Sequence, residues 1–378
     1  MSIVNICDYT NCTGCGACLN VCPKRCIEMK QTDEGFLYPS VNSNMCIECG
    51  LCKITCPDNN SLFFNSPLDT YAGFSIDDAI RESSSSGGLF TVLATEVLRH
   101  GGVVYGAAFD ESLKLAHRKA ETLEELSRLK GSKYLQSSIV DIYSEINSFI
   151  NNKRVVLFVG TPCQVAGIKS YIKKNKTCLI TIDVVCHGVP SPLAFYSYIN
   201  KLTNYNSNDS HLSFVFRDLS HWGYSPSLII DGKEEKLKDE RNVYIDFFLR
   251  GELSRESCYS CKYARNERIS DITLADFWGI GTEQPYRNDT SKGVNLILVN
   301  TELGKQLLDS VKSEINIEPR SFSEASKNNS QLNAPLKRPV NRDNIYKLFL
   351  SSSLYDLDSM NRSSLWRLKR YVKKLIRR

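Results

Sequence analysis

Ten of the fifteen cysteines lie between residues 7 and 56, and eight of those ten repeat one spacing. Cys12-x2-Cys15-x2-Cys18-x3-Cys22-Pro23 returns as Cys46-x2-Cys49-x2-Cys52-x3-Cys56-Pro57. Three thiolates two residues apart wrap one side of a cubane iron–sulfur cage. The fourth points away and reaches the neighbouring cage, after which the proline turns the chain. The spacing therefore assigns Cys12, Cys15, Cys18 and Cys56 to one [4Fe–4S] cluster, and Cys46, Cys49, Cys52 and Cys22 to a second. Zinc also takes Cys-x2-Cys pairs, but it requires neither the third Cys-x2 step nor a Cys-Pro, let alone both twice. Gly14, Gly16 and Gly50 leave room for backbone amides to approach the cluster sulfurs. Cys7 and Cys26 fall outside the pattern and read as packed thiols.

A second, looser set follows. Cys163 comes just after an apolar run at 155–159, Cys186 just after another at 179–185, and Cys258-x2-Cys261 some 70 residues later. Four thiols of this kind suit a third [4Fe–4S] cluster. The other reading makes Cys163 and Cys186 small core residues, with Cys258 and Cys261 binding zinc or nothing. Cys178 opens an apolar strand and reads as core. Ser86, Gly87 and Gly88, at the end of a serine run and just before a helix-forming stretch, suit a phosphate at a helix N-terminus, or are simply a capped surface loop. Lys130-Gly131-Ser132-Lys133-Tyr134 adds cations and an aromatic face, or is a solvated basic turn. His187 reads as a hydrogen-bonding residue at a strand end. The chain contains neither G-x-G-x-x-G nor a Walker motif.

These residues need a frame. The spacing predicts a helix from 89 to about 100, ended by Gly101-Gly102, and then a hairpin around Asp110-Glu111-Ser112. Ile139, Ile142, Ile146, Phe149 and Ile150 share one helical face. The strands at 155–159 and 179–185 are each followed by a helix, which calls for a parallel pair in a covered sheet. Ligand sites in such sheets form at the carboxyl ends of strands, where Cys163 and Cys186 stand. The expected fold is an α+β two-cluster module followed by an α/β domain with a mostly parallel sheet.

Composition closes off other classes. The chain has 378 residues, 42% of them hydrophobic and 24% charged, which excludes disorder. No apolar run approaches a membrane span. The opening MSIVNICDYTNC lacks a charged segment followed by an apolar one, so no secretory leader is expected. Clustered cysteines in such a chain point to metal ligation in a reducing, cytoplasmic setting. Seven of the positive charges lie in residues 364–378, and taking them from the net +5 leaves −2. The body thus offers no nucleic-acid groove. In the tail Leu365, Trp366, Leu368, Val372, Leu375 and Ile376 oppose those basic residues. This suits a helix lying on an anionic membrane at its inner face, a solvated helix, or one docking an acidic partner.

Taken together, Ser84–Gly88 with its helix, Lys130–Tyr134, Gly160–Gln164, Asp183–Pro190, Ser257–Ala264 and Asp271–Gly279 resemble the family of coenzyme F420 hydrogenase/dehydrogenase beta subunits, with a fused N-terminal ferredoxin module. The resemblance implies a FAD-binding α/β domain with its own [4Fe–4S] cluster, for which Cys163, Cys186, Cys258 and Cys261 match the ligands. It places Ser86, Gly87, Gly88, Lys133 and Tyr134 near the flavin. It implies electron exchange with a deazaflavin, a ferredoxin or a redox partner protein. Chains of similar make-up, with a fused ferredoxin and a basic tail, are associated with bacterial surface-polysaccharide biosynthesis. The implied function is an iron–sulfur flavoprotein oxidoreductase, the alternative being a non-catalytic electron-transfer subunit serving a partner enzyme. The expected divisions are a ferredoxin-type domain at 1–66, two parts of the flavin domain at 67–130 and 131–315, and a polar linker with a basic helix at 316–378, the linker holding a short helix at 343–350.

Overall fold

The structure, a computed structural model, describes residues 5–60, 62–203, 211–217 and 222–361. The basic tail helix expected from residue 362 onward lies outside them. Among the described residues, no helix is long and apolar enough to cross a membrane.

The cysteine-rich segment folds into two short helices, Ala17–Val21 and Leu51–Thr55, beside an antiparallel hairpin of β1 (Ile27–Gln31) and β2 (Leu37–Val41). Gly16 and Gly50 precede the two helices with φ of 77° and 73°, a left-handed turn that glycine adopts at little cost. This is the expected α+β ferredoxin-type module.

The body is built on an eight-stranded sheet. Its strands are β3 (Asp69–Ser75), β4 (Val103–Phe109), β5 (Leu115–Ala120), β6 (Val156–Gly160) and β7 (Leu179–Val184). A smaller antiparallel sheet intervenes, with β8 (Leu212–Val215), β9 (Ser227–Ile230) and β10 (Lys233–Lys236). The large sheet then takes β11 (Ile272–Asp276), β12 (Asn295–Val299) and β13 (Ile315–Pro319), in the order β13-β3-β12-β11-β7-β6-β4-β5. The expectation of a mostly parallel sheet is corrected: three of its seven pairings are parallel and four antiparallel. Only crossover connections make parallel neighbours, and they join β4, β6, β7 and β11. β5 returns by a tight turn in which Asp110 accepts from the Ser112 and Lys114 amides. At the other edge β12, β3 and β13 run antiparallel to their neighbours.

The sheet is covered on both faces. Leu157 of β6 joins Leu93, Val97, Ile182 and Leu308 on one side. Val156 and Phe158 join Ile146, Ile150, Val165 and Ile168 on the other. This alternation is the two-residue period of a strand buried on both sides. A third, aromatic-rich core gathers Phe195, Tyr198, Phe214, Tyr244 and Phe349 around the small sheet.

The stretch from 316, expected as a polar linker with a short helix at 343–350, has that helix but is packed on the body. It begins inside β13, and the helix Arg342–Ser351 buries Tyr346 and Phe349 against the aromatic core. Its polar composition is partly interior: Glu324 and Arg342 are buried and paired with Arg320 and Glu34.

Candidate functional site

The thiols fall into three sets along a line. Cys12, Cys15, Cys18 and Cys56 line one cavity. Cys22, Cys46, Cys49 and Cys52 line a second, more open one, where Cys49 is exposed. The crossing of Cys22 and Cys56 between the two helices produces this partition. Among the described residues, no three His, Cys, Asp or Glu side chains converge tightly enough for a single ion. Thiolates around a cubane bind different irons at its corners and stand farther apart than four around one zinc.

Cys7 and Cys26 are more than packing. A hydrogen bond from Cys7 draws the Cys12 thiol down to about 6, against burial and with help from the charge of Arg255. The same Cys7 draws Cys56 to about 7. Cys26 lies 3.4 Å from Cys22, sulfur to sulfur. Neither has a spacing signal, because both lie outside the repeat.

The inner set is seated on the body. The Tyr143 hydroxyl donates to the Cys15 carbonyl at 2.6 Å, and Asn20 donates to the Val140 carbonyl at 2.8 Å. Cys15 also rests against Gly167, where an added Cβ would stand 2.9 Å from the Cys15 Cβ and 3.2 Å from its sulfur. Gly167 belongs to the helix Pro162–Tyr171, whose first turn carries Cys163.

Cys163 and Cys186 stand at the carboxyl ends of the adjacent strands β6 and β7. The turn after Cys186 is tied to the loop carrying the other pair: the Arg255 amide donates to the Val189 carbonyl at 3.0 Å, and Pro190 bridges Ser254. Gly188, with φ of 109°, suits that turn, since an added Cβ would stand only 2.7 Å from the Ser254 hydroxyl oxygen. The four thiols are near enough to oppose one another's ionisation. Burial first, then Cys261, pushes Cys163 up to about 12. Burial, then Cys258 and Cys163, pushes Cys186 well above the ordinary thiol range. Cys261 also lines the cavity of the inner ferredoxin set, so this third set adjoins that one directly. Cys178 packs at the edge of the core, as expected.

On the other side of Cys163 and Cys186 opens a cleft of about 350 Å³, continuous with solvent. It receives Ser86 and Gly88 from the serine–glycine loop, and Lys133 and Tyr134 from the basic turn. The two segments are tied by the Ser132 amide donating to the Ser85 hydroxyl at 2.9 Å. Gly88 precedes the helix Leu89–Arg99 with φ of 87°. Gly87 lies under the loop, where a Cβ would meet the Gly73 carbonyl at 2.6 Å. The Ser86 hydroxyl is buried and has no hydrogen-bond partner, an acceptor and donor held at a helix N-terminus. Tyr134 stacks on Phe248 and meets Tyr224.

Lys133 is differently employed. Its ammonium donates to the carbonyls of Leu129 and Lys130 at 3.1 and 2.7 Å, closing the last turn of the helix Leu123–Leu129. Burial draws that ammonium down to about 7.

Further cleft residues had no sequence signal. Arg217, from the end of β8, pairs with Asp276 at 2.5 Å and lies over Tyr224 and Trp278. His117 donates from Nε2 to the Val159 carbonyl and accepts at Nδ1 from Ser137, both at 2.9 Å; burial draws it down to about 4, so it is neutral. His187 bonds the Leu249 carbonyl at 2.8 Å, a structural role.

The fold and thiol sets define an iron–sulfur electron-transfer protein of the oxidoreductase class. Comparison with known proteins names the group. The N-terminal profile of the coenzyme F420 hydrogenase/dehydrogenase beta subunit matches residues 70–143, and the profile of that subunit's C terminus matches 153–325. A "4Fe-4S dicluster domain" matches 11–60. The chain belongs to the family of coenzyme F420 hydrogenase/dehydrogenase beta subunits, with a dicluster ferredoxin module at its N-terminus. It is 21% identical over 328 residues to the F subunit of the F(420)H(2) dehydrogenase of Methanosarcina mazei, covering 83% of this chain and 86% of that one. A solved structure of the F420-reducing [NiFe] hydrogenase complex from Methanosarcina barkeri aligns with a TM-score of 0.48 at 14% identity, over 79% of this chain and 91% of that one.

Proposed function

We propose that this chain is an iron–sulfur flavoprotein oxidoreductase. Electrons enter or leave at the exposed set Cys46, Cys49, Cys52 and Cys22, and cross by the inner set Cys12, Cys15, Cys18 and Cys56. They reach a third [4Fe–4S] site on Cys163, Cys186, Cys258 and Cys261, and then the cleft. The observation that carries this reading is the order of the thiols: Cys15 lies against the helix whose first turn carries Cys163, and Cys163 and Cys186 line the cleft. The cleft residues suit FAD. The unpartnered Ser86 hydroxyl and the Gly87-Gly88 turn would take its phosphates at the helix N-terminus, and the aromatic wall at Tyr134 would flank its rings. A flavin bound there would supply exchange between one-electron and two-electron chemistry.

A relay role is favoured by one fact, that the Methanosarcina mazei relative is named as a subunit of a larger dehydrogenase. In that reading the cleft passes electrons to a partner enzyme. The acceptor class suggested by the fused ferredoxin and basic tail is a surface-polysaccharide precursor, and the donor a reduced ferredoxin or the deazaflavin.

Anaerobic purification with iron and flavin counts tests the proposal. About twelve irons and one FAD support it, and about eight irons without flavin overturn it. Cys258→Ser with Cys261→Ser should lower the count to about eight while leaving the ferredoxin signals in place. Substrate-dependent oxidation of the flavin without any partner protein selects the enzyme over the relay.

A further inference from the structure

We infer that Arg255 is the buried counter-ion of the inner ferredoxin cluster and sets its reduction potential. Its side chain is 1% exposed. Its Nε donates to the Cys12 carbonyl at 2.7 Å, and its Nη2 to the Leu37 carbonyl at 2.9 Å and toward the Cys12 sulfur at 3.8 Å. Nη1 donates to the Gln136 side-chain oxygen at 3.2 Å, and the guanidinium lies 4.0 Å over the Tyr38 ring. Every hydrogen-bonding oxygen it meets is neutral. Among the described residues no carboxylate stands within ion-pair distance of it. The neighbouring Glu256 is turned to Arg338, and Glu34 to Arg342. Two other buried arginines have their anion, Arg268 with Asp183 at 3.0 Å and Arg217 with Asp276 at 2.5 Å, whereas buried Arg81 meets the carbonyls of Asp289 and Gly293.

A buried, permanently charged guanidinium without an anion is strongly disfavoured. The thiolate that completes this site belongs to Cys12, a ligand in the dicluster reading on which the inference rests. Four thiolates on a [4Fe–4S] core make an anion whose negative charge grows by one on reduction. A cation fixed beside it therefore favours the reduced state and raises the potential. Arg255 also stands three residues before Cys258, whose amide donates to the Arg255 carbonyl at 2.9 Å. One positive charge is thus held between the inner ferredoxin set and the third set. It offsets the repulsion between two neighbouring anionic centres, and it makes the inner position the more favourable stop for an electron arriving from the exposed set.

The test is an EPR-monitored redox titration of the full chain, purified anaerobically, with iron content measured on the same samples. Arg255→Gln removes the charge. Gln136→Glu keeps Arg255 and sets a carboxylate against its Nη1. Each should move one cluster midpoint negative by at least tenfold in the reduction equilibrium, about 59 mV for one electron. Arg255→Lys should move it by less than Arg255→Gln. Midpoints unmoved in Arg255→Gln and Gln136→Glu, with iron content unchanged, overturn the inference. Should Arg255→Gln fail to hold iron, the Gln136→Glu titration alone decides. A wild-type chain without a ferredoxin-type cluster signal overturns the cluster reading itself, and the inference with it.

Discussion

Replacing Gly167 with alanine adds one methyl group at the point where the ferredoxin module meets the body. The new Cβ would stand 2.6 Å from the Tyr143 hydroxyl oxygen and 2.9 Å from the Cys15 Cβ. Comfortable contact is about 3.5 Å, so the groups must part by nearly an ångström. Neither side yields freely. Tyr143 is fully buried, edge-on to Tyr171, and its hydroxyl is committed to the Cys15 carbonyl. Overpacking of this kind costs about 1–3 kcal/mol. Loss of the Tyr143 hydrogen bond strands a buried hydroxyl at a further cost of about 1–3 kcal/mol. Alanine's advantage over glycine in a helix returns about 1 kcal/mol. A net loss of about 3 kcal/mol, at a urea dependence of about 2 kcal/mol/M, lowers the unfolding midpoint by about 1.5 M. The assay is an anaerobic urea titration of the ferredoxin module's visible absorbance, with Gly106→Ala as control. At Gly106 an added Cβ meets only Leu129, at 3.4–3.8 Å, and φ is not positive, so that variant should be nearly neutral. If Gly167→Ala is no more costly than Gly106→Ala, the module is not seated on this helix, and the line of thiols is broken at its first joint.

Three more outcomes follow. His117 is drawn down to about 4 by burial, whereas the unfolded chain protonates it near 6.5. Between those values the unfolded state binds the extra proton, so stability falls as pH drops through the window, by about 3 kcal/mol in full. His117→Gln should flatten that part of the acid limb in unfolding titrations relative to the wild type. Ser86→Ala should carry opposite signs in the two states. The flavin-free protein gains about 1 kcal/mol from losing an unpartnered buried hydroxyl, while flavin binds about tenfold more weakly; a calorimetric titration showing unchanged affinity would remove Ser86 from the flavin site. Arg342→Ala leaves the Ser254 carbonyl and Glu34 without their donor, at a cost of about 2 kcal/mol once screening at the partly exposed Glu34 is allowed for. Limited proteolysis should then cut near the helix Arg342–Ser351 first.

What could be read in the chain alone was local. The Cys-x2-Cys-x2-Cys-x3-Cys-Pro runs carry their geometry in their spacing, and the cavities divide their thiols in the crossed arrangement that spacing implies. Cys163 and Cys186 could be placed at neighbouring strand ends, because two apolar runs joined by a helix leave few alternatives. The antiparallel edge could not be placed. β3 and β13 lie some 240 residues apart in the chain yet pair directly, and neither shows a marked apolar run. Arg255 gave no signal either. A single arginine has no period, and its partner Cys12 is 243 residues away. The helix at 343–350 was legible, but the packing of 316–342 was not, for a chemical reason: its buried members include Arg342 and Glu324, whose charges are paired and look like surface in a composition count.

The clasp between Arg342 and the first hairpin has a consequence for how the molecule is made. The Tyr346 hydroxyl donates to the Glu34 carbonyl at 3.0 Å, across 312 residues of chain. β3 likewise waits for β12 and β13 before it has neighbours. During synthesis, then, the cysteine-rich segment leaves the ribosome well before the residues that clasp it. Its cysteines spend much of translation on a module whose last contacts, those to Arg255, Arg342 and Tyr346, are still missing. That interval leaves cluster-assembly factors an open approach to thiols that the finished molecule partly buries. Ribosome-held chains stopped after residue 330 should accept iron at the first two sites yet remain cleavable between the module and the body, whereas the released chain should resist the same protease. Equal resistance at both lengths would show that the module docks without its clasp.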